Sequence, residues 1–237
     1  MKRATFTLSA IGVAILLSLG LREALQVSPA EATMGNIARI LYYHVASWAT
    51  AFAMFAVNLV ASILYLVRRH APSAMAADAV AVSAAEIGVV FCSVGLMTGM
   101  LWAKPAWGIW WTWDARLTST FVLWLIYVSY LMLRRLSVPG QAPILAAALA
   151  IFGFIDVPIV YMSIRWWRTQ HPQPVIFGEP GSGLDSSMVP ALIINIAAFL
   201  CYGALIFWVR YKLERARQEL HEAQSIEAIQ LARAEAR

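Results

Sequence analysis

Long apolar stretches free of Asp, Glu, Lys and Arg alternate along the chain with short polar breaks. Six of them cover residues 4–21, 40–67, 79–103 with Glu86 as an interruption, 117–133, 143–164 with Asp156 inside, and 186–209. A helix needs about 20 mostly apolar residues to cross roughly 30 Å of hydrocarbon. An open sheet cannot satisfy its backbone polar groups in lipid, whereas a helix can. The pattern therefore predicts an all-α, polytopic membrane protein with six transmembrane helices. No internal repeat is visible, and the Ala-rich stretch 142–150 predicts close helix packing.

Composition sharpens this. The 237 residues are 61% hydrophobic and only 13% charged, with a mean hydropathy of +0.68, where soluble domains carry about 25% charged residues. A soluble globule is excluded. The net charge of +5 would suit nucleic acid if the basic residues clustered, but they punctuate the apolar runs instead. That distribution is a topology signal and implies no nucleic-acid partner. Cys92 and Cys201 lie far apart in apolar stretches, which fits neither a disulfide framework nor a CxxC site and predicts two buried thiols.

Lys2 and Arg3, Arg68 and Arg69, Arg134 and Arg135, and Arg210, Lys212, Arg215 and Arg217 all fall on one side of a six-span arrangement. The positive-inside rule makes that side, with both termini, cytoplasmic. Lys2-Arg3 before an apolar run also suits a signal peptide, but no clear A-x-A site follows Leu21, so an uncleaved first helix is expected. Residues 1–210 then form the membrane domain. Residues 211–237 form a charged cytoplasmic tail, expected to be a solvated helix extending the last span. The outer side keeps Arg22, Arg39, Lys104, Arg116, Arg165 and Arg168, six of 18 basic residues, which the rule does not explain.

Tryptophan is distributed as unevenly as charge. Seven of the ten Trp sit in two outer segments: Trp102, Trp107, Trp110, Trp111 and Trp113 within 102–118, and the pair Trp166 and Trp167. An interfacial belt places Trp and Tyr at both membrane faces, so a belt alone does not account for the asymmetry. Trp107, Trp110 and Trp111 stand at i, i+3 and i+4 and share a face if the segment is helical. Pro105 and Gly108 predict a turn in the backbone there. Asp114 and Arg116 close the segment; they either cap the next helix, pair with each other, or meet a ligand.

Four histidines complete the inventory. His70 and His221 fall in polar segments and are expected to be solvated, while His44 and His171 fall on the Trp-rich side. A flat, apolar, anionic macrocycle whose iron accepts axial imidazoles needs aromatic cover, neutral histidines and a cationic edge. An imidazole with a pKa of about 6.5 is mostly neutral near pH 7. Haem fits this residue set better than zinc, which needs three or four ligands. Glu86 and Asp156 inside spans are costly groups that serve either interhelical hydrogen bonding or a transport path. The Gly- and Pro-rich stretch 172–185 predicts a flexible outer loop next to His171.

The run W-G-I-W-W-T-W-D from Trp107 to Asp114 resembles the WWD family of haem-handling membrane proteins of cytochrome c maturation. So do R-I-L-Y-Y-H-V from Arg39 and R-W-W-R-T-Q-H from Arg165. Six spans and a single short loop after the Trp segment resemble its smaller members rather than CcmF or CcsA. The resemblance implies that His44 and His171 are the axial ligands of haem b, that Trp107, Trp110, Trp111 and Trp113 form its platform, and that Asp114 and Arg116 act in haem retention and transfer. It further implies a bacterial inner membrane location with the haem site facing the periplasm, and delivery to the haem chaperone CcmE in company with CcmD and the ABC transporter subunits CcmA and CcmB. The chain departs from the family at Ala46, where Pro is common, and in its longer, more charged tail. Two other function classes remain beside this one: a b-type electron-transfer cytochrome, and a small-molecule transporter using Glu86 and Asp156.

Overall fold

The computed structural model describes residues 3–136, 142–174 and 184–235. Seven α-helices dominate: α1 (Arg3–Arg22), α2 (Ile40–Val67), α3 (Ala74–Trp107), α4 (Ala115–Leu136), α5 (Ala142–Phe154), α6 (Asp156–Trp166) and α7 (Val189–Glu235). A π-turn (Glu23–Val27) prolongs α1 and a short 3-10 helix (Asn36–Arg39) leads into α2. Among the described residues β-structure is limited to one isolated bridge, Glu31 to Gly35. Six helical units are long and apolar enough to cross a membrane.

The fifth span is where expected, and it is built from two helices, α5 and α6. Pro158 has no N–H for the carbonyl of Phe154, and the Ile155 N–H turns instead to Phe152 at 3.1 Å, so the ladder breaks between α5 and α6. Asp156 starts α6, and its Oδ2 is buried without a hydrogen-bond partner. Helix α7 continues without a break through the charged tail. Most of the Gly- and Pro-rich stretch predicted to be flexible, residues 175–183, lies outside the described residues.

Helices α2 and α3 form the centre, with α4, α5 and α7 packed around them and α1 resting on α7. Lipid gives helices no hydrophobic reason to associate, so close backbone approach and interhelical hydrogen bonds have to do so. On α3, three glycines receive three rings of α2. A Cβ on Gly88 would stand 2.5 Å from the Phe55 ring, one on Gly95 2.6 Å from Trp48, and one on Gly99 3.2 Å from His44. Phe55 is in turn stacked on Tyr127 of α4, with centroids 3.8 Å apart.

Polar ties join the remaining helices. Asn58 Nδ2 donates to Ala81 O at 2.8 Å, the Trp124 indole N–H to Ser93 Oγ at 2.8 Å, and Asn195 Nδ2 to Gly20 O at 2.9 Å. Arg134 holds both oxygens of Asp78, at 2.6 and 2.8 Å, and Arg210 grips Glu86 with two nitrogens. Cys92 is buried, as expected, but Cys201 is exposed. Gly203 of α7 packs against Thr50, and Cys201 lies about 200° round the helix from it, on the opposite face.

The glycine seats generate a stability prediction. Gly95→Ala forces a methyl into the Trp48 ring and is expected to destabilise the protein by about 1–3 kcal/mol, the usual cost of overpacking. Gly12→Ala, where a Cβ meets nothing within 4 Å, should leave stability unchanged or slightly raise it. Thermal unfolding of the two detergent-purified variants checks this, and equal midpoints would refute the seating.

Candidate functional site

At the end of the bundle where the Trp-rich segment lies, α2, α3, α4 and α6 enclose a cavity of about 150 Å³. His44 reaches it from the second turn of α2 and is only 9% exposed. His171 reaches it from the irregular segment after α6, where its backbone N–H is anchored to Thr169 Oγ1 at 3.1 Å. The two imidazole rings, 127 residues apart in sequence, stand with centroids 6.4 Å apart and planes inclined by 32°. Trp48 and Trp102 each present an edge to His44 at 6.1 Å.

Hydrogen bonds settle which nitrogen of each ring is free. His44 Nδ1 lies 3.0 Å from Thr98 Oγ1. The Thr98 hydroxyl has its single proton directed to the carbonyls of Val94 and Gly95, at 2.8 and 3.0 Å, so its oxygen accepts from His44 Nδ1–H. His171 Nδ1–H donates to its neighbour's carbonyl, Pro172 O, at 2.8 Å. Both rings thus carry their proton on Nδ1 and keep an Nε2 lone pair. Burial, and then the guanidinium of Arg116, push the His171 imidazole down to about 4, which keeps it neutral at pH 7.

The Trp segment differs from the helical platform its spacing suggests. Helix α3 runs through Pro105 and stops at Gly108, whose φ of 79° gives the left-handed C-cap that closes on Lys104 O at 2.9 Å. Residues beyond it are bent and then extended, so Trp107, Trp110 and Trp111 share no helical face. Trp107 and Trp111 line the cavity, whereas Trp110 and Trp113 point outward, 54% and 76% exposed. Trp111 and Trp113 meet edge to face at 5.7 Å, both against Phe121. The indole N–H of Trp111 is buried with no partner.

Of the basic residues on this side, Arg116 lines the cavity, and one of its nitrogens donates to Val160 O of α6. Lys104 is turned to Gly108 O and Arg39 to Ala24 O, at 2.8 and 2.5 Å. Asp114 does not line the cavity. Its Oδ1 accepts the Leu117 N–H at 2.9 Å and its Oδ2 the Thr112 hydroxyl at 3.1 Å, which makes it the N-cap of α4. Trp166 and Trp167 pack on each other and are half exposed, away from the cavity. His70 and His221 are exposed at the other end, and Glu86 is committed to Arg210.

Sequence spacing left out Thr98, Trp48 and Met34. Trp48 was findable, since it follows His44 by one helical turn; Gly95 and Gly99, also one turn apart, marked the matching seat on α3. Met34 had no local signal. It reaches the cavity because Glu31 accepts the Thr33 and Met34 N–H groups and turns the chain, after which the Trp102 indole donates to Met34 Sδ at 3.2 Å.

Among the described residues there is no group of three or more His, Cys, Asp or Glu side chains able to hold a bare metal ion. Imidazole–metal bonds are about 2 Å long, as for zinc. Two ring centres about 6 Å apart therefore suit one metal atom between them that brings its other ligands with it. The unsatisfied Trp111 N–H and the Arg116 guanidinium suit an acceptor or anion beside it.

Such a bundle, with two imidazoles brought together in a Trp-lined cavity at one end, defines a multi-pass membrane protein. Residues 1–226 match the profile of the family described as Heme exporter protein C, CcmC. Heme exporter protein C of Bradyrhizobium diazoefficiens is 34% identical over 225 residues, covering 94% of this chain and 83% of its own length. Its counterpart from Escherichia coli K12 is 34% identical over 209 residues, 86% of this chain and 80% of its own. A ccmC-like mitochondrial protein of cytochrome c biosynthesis from Arabidopsis thaliana is 34% identical over 201 residues, 85% of this chain and 72% of its own. The chain belongs to the CcmC family.

The capping role of Asp114 is testable apart from any ligand. Asp114→Ala should cost about 1 kcal/mol, the usual loss of an N-cap, while Asp114→Asn, which keeps an acceptor, should stay within a few tenths of the parent. Chemical or thermal unfolding in detergent measures both, and equal losses would assign the residue to its charge instead.

Proposed function

We propose that this chain holds haem b between His44 Nε2 and His171 Nε2 and presents it for transfer. Its family gives it a role in haem handling for cytochrome c maturation. What supports the ligand assignment is the pair of imidazoles 6.4 Å apart, each with Nδ1–H engaged and Nε2 bare. Metal-binding histidines are held in this way by a second hydrogen bond that sets tautomer and ring orientation.

The other residues divide the remaining work. Arg116 and the Trp111 indole N–H receive the carboxylates, Trp107 and Trp111 cover the macrocycle, and the exposed Trp110 and Trp113 extend apolar surface at the mouth. Asp114 acts by fixing the start of α4, and so the position of Arg116. A volume of about 150 Å³ is below the roughly 300–1,000 Å³ of small-molecule sites. A macrocycle held there would project in part from the cavity, which would suit release of the cargo. When bound, haem would supply an iron able to accept the lone pairs of both imidazoles.

The clustering of arginines at the opposite end supports cytoplasmic termini and a tail, 211–237, in the cytoplasm. The site then faces the periplasm across a bacterial inner membrane. Family membership supports CcmE as the acceptor, with CcmD and the CcmA/CcmB transporter as companions.

Visible spectra test the assignment. Purified parent protein should show a Soret band with split alpha and beta bands, and His44→Ala and His171→Ala should each lose or shift it. Thr98→Val removes the acceptor for His44 Nδ1–H and should weaken haem retention about 10- to 100-fold, with Thr98→Ser restoring it. Spectra unchanged in both histidine variants would overturn the proposal.

A further inference from the structure

Helices α3 and α4 line more than the histidine cavity. A second and larger space, about 1430 Å³, opens at the arginine end of the same seam. Leu96 and Gly99 of α3 and Leu117 and Thr120 of α4 belong to the upper cavity. Val89 and Val90 of α3 and Val128 and Leu131 of α4 belong to the lower one. Between them, on both helices, lies one rung: the Trp124 indole N–H donating to Ser93 Oγ at 2.8 Å, with the indole stacked on Phe121. From Val89 to Leu96 is seven residues, about 10 Å of helix, so the two spaces are separated by little more than that rung.

The upper walls of the lower space are valine and leucine, and its rim is charged, with six arginines beside Asp78, Glu86, Glu214, Glu219 and Glu222. Arg134 is matched by Asp78, and Arg210 by Glu86. Arg69 and Arg135, on the rim at the ends of α2 and α4, have no carboxylate partner among the described residues. Val90 and Met132 in the same wall are each 54% exposed, so the space is open sideways between the helices as well as at the end. A planar apolar body with two carboxylates, entering edge-on from the lipid, matches both walls and rim.

We propose that the α3–α4 seam is the route by which haem reaches the histidine site, loading through the lower space and passing the Ser93–Trp124 rung, which acts as its gate. This rests on the haem reading of the upper cavity. Apolar walls carry the macrocycle, Arg69 and Arg135 receive the carboxylates first, and Arg116 receives them at the far end.

Two kinds of variant test the route. Val128→Trp fills the top of the lower space without touching the upper cavity. Protein purified from haem-replete cells should then carry at least fivefold less haem per mole than the parent, yet should give the parental Soret band when haemin is added to the detergent-solubilised protein. Ser93→Ala frees the indole without adding bulk. In lipid nanodiscs preloaded with haemin it should develop the Soret band several-fold faster than the parent. If Val128→Trp also fails to take up added haemin, its fold is damaged and Ser93→Ala decides alone. Parental haem content in Val128→Trp, or a parental rate in Ser93→Ala, overturns the route, as expected if the lower space holds an anionic phospholipid instead. A parent protein lacking any His44-dependent Soret band would instead sink the site itself.

Discussion

Everything at the histidine end depends on how closely α2 can approach α3. Three glycines on α3 accept the rings of Phe55, Trp48 and His44 in order along the antiparallel pair, and an added Cβ at Gly88 or Gly95 would overlap its ring. In lipid this contact has no hydrophobic drive and relies on dispersion at short range. The same contact brings the His44 ring beside Thr98, so the packing that joins the two central helices also selects the ring's tautomer. Structure and chemistry are set by one interface.

The two ends of the bundle handle polarity in opposite ways. At the arginine end the acids within the spans are paired: buried Asp78 with Arg134, and partly exposed Glu86 with Arg210. A lone charge among apolar helices is costly, and removing one partner of such a pair leaves the other uncompensated. These acids thereby acquire a packing role that accounts for their presence in the spans. At the histidine end the opposite holds. There the Trp111 indole N–H is buried without a partner among the described residues, and each histidine makes its hydrogen bond through Nδ1. Asp156, with an unsatisfied oxygen at the α5–α6 break, fits neither pattern, and Asn58, Ser62, Ser83 and Tyr127 also bury unsatisfied oxygens within the spans.

The Trp segment shows how a local rule was outweighed. Spacing of i, i+3 and i+4 at Trp107, Trp110 and Trp111 favours a shared helical face, but Gly108 in the left-handed region stops the helix first. The result is a division of labour instead of a flat platform, with Trp107 and Trp111 facing inward and Trp110 and Trp113 outward. Pro105, expected to turn the chain, is tolerated inside the last turns of α3, and Pro158 is the proline that breaks a span.

Six spans, the all-helical class, the crowding of Trp and spare cations toward one end, and the candidacy of His44 and His171 were all legible in the linear chain. They are properties of composition and of period along one helix, and lipid enforces them residue by residue. The motif around Trp107 to Asp114 carried the family as well. What only the tertiary structure decided is which of those residues meet. His44 and His171 come from opposite parts of the chain, Thr98 and Met34 carry no spacing signal toward them, and Asp114 was separated from the cavity by its use as a cap. The seam shared by the two cavities likewise exists only between helices. Pattern along a helix is dictated by its own 3.6-residue turn, but pairing between helices depends on which glycine lies opposite which ring, and that is a relation between distant residues that no single segment contains.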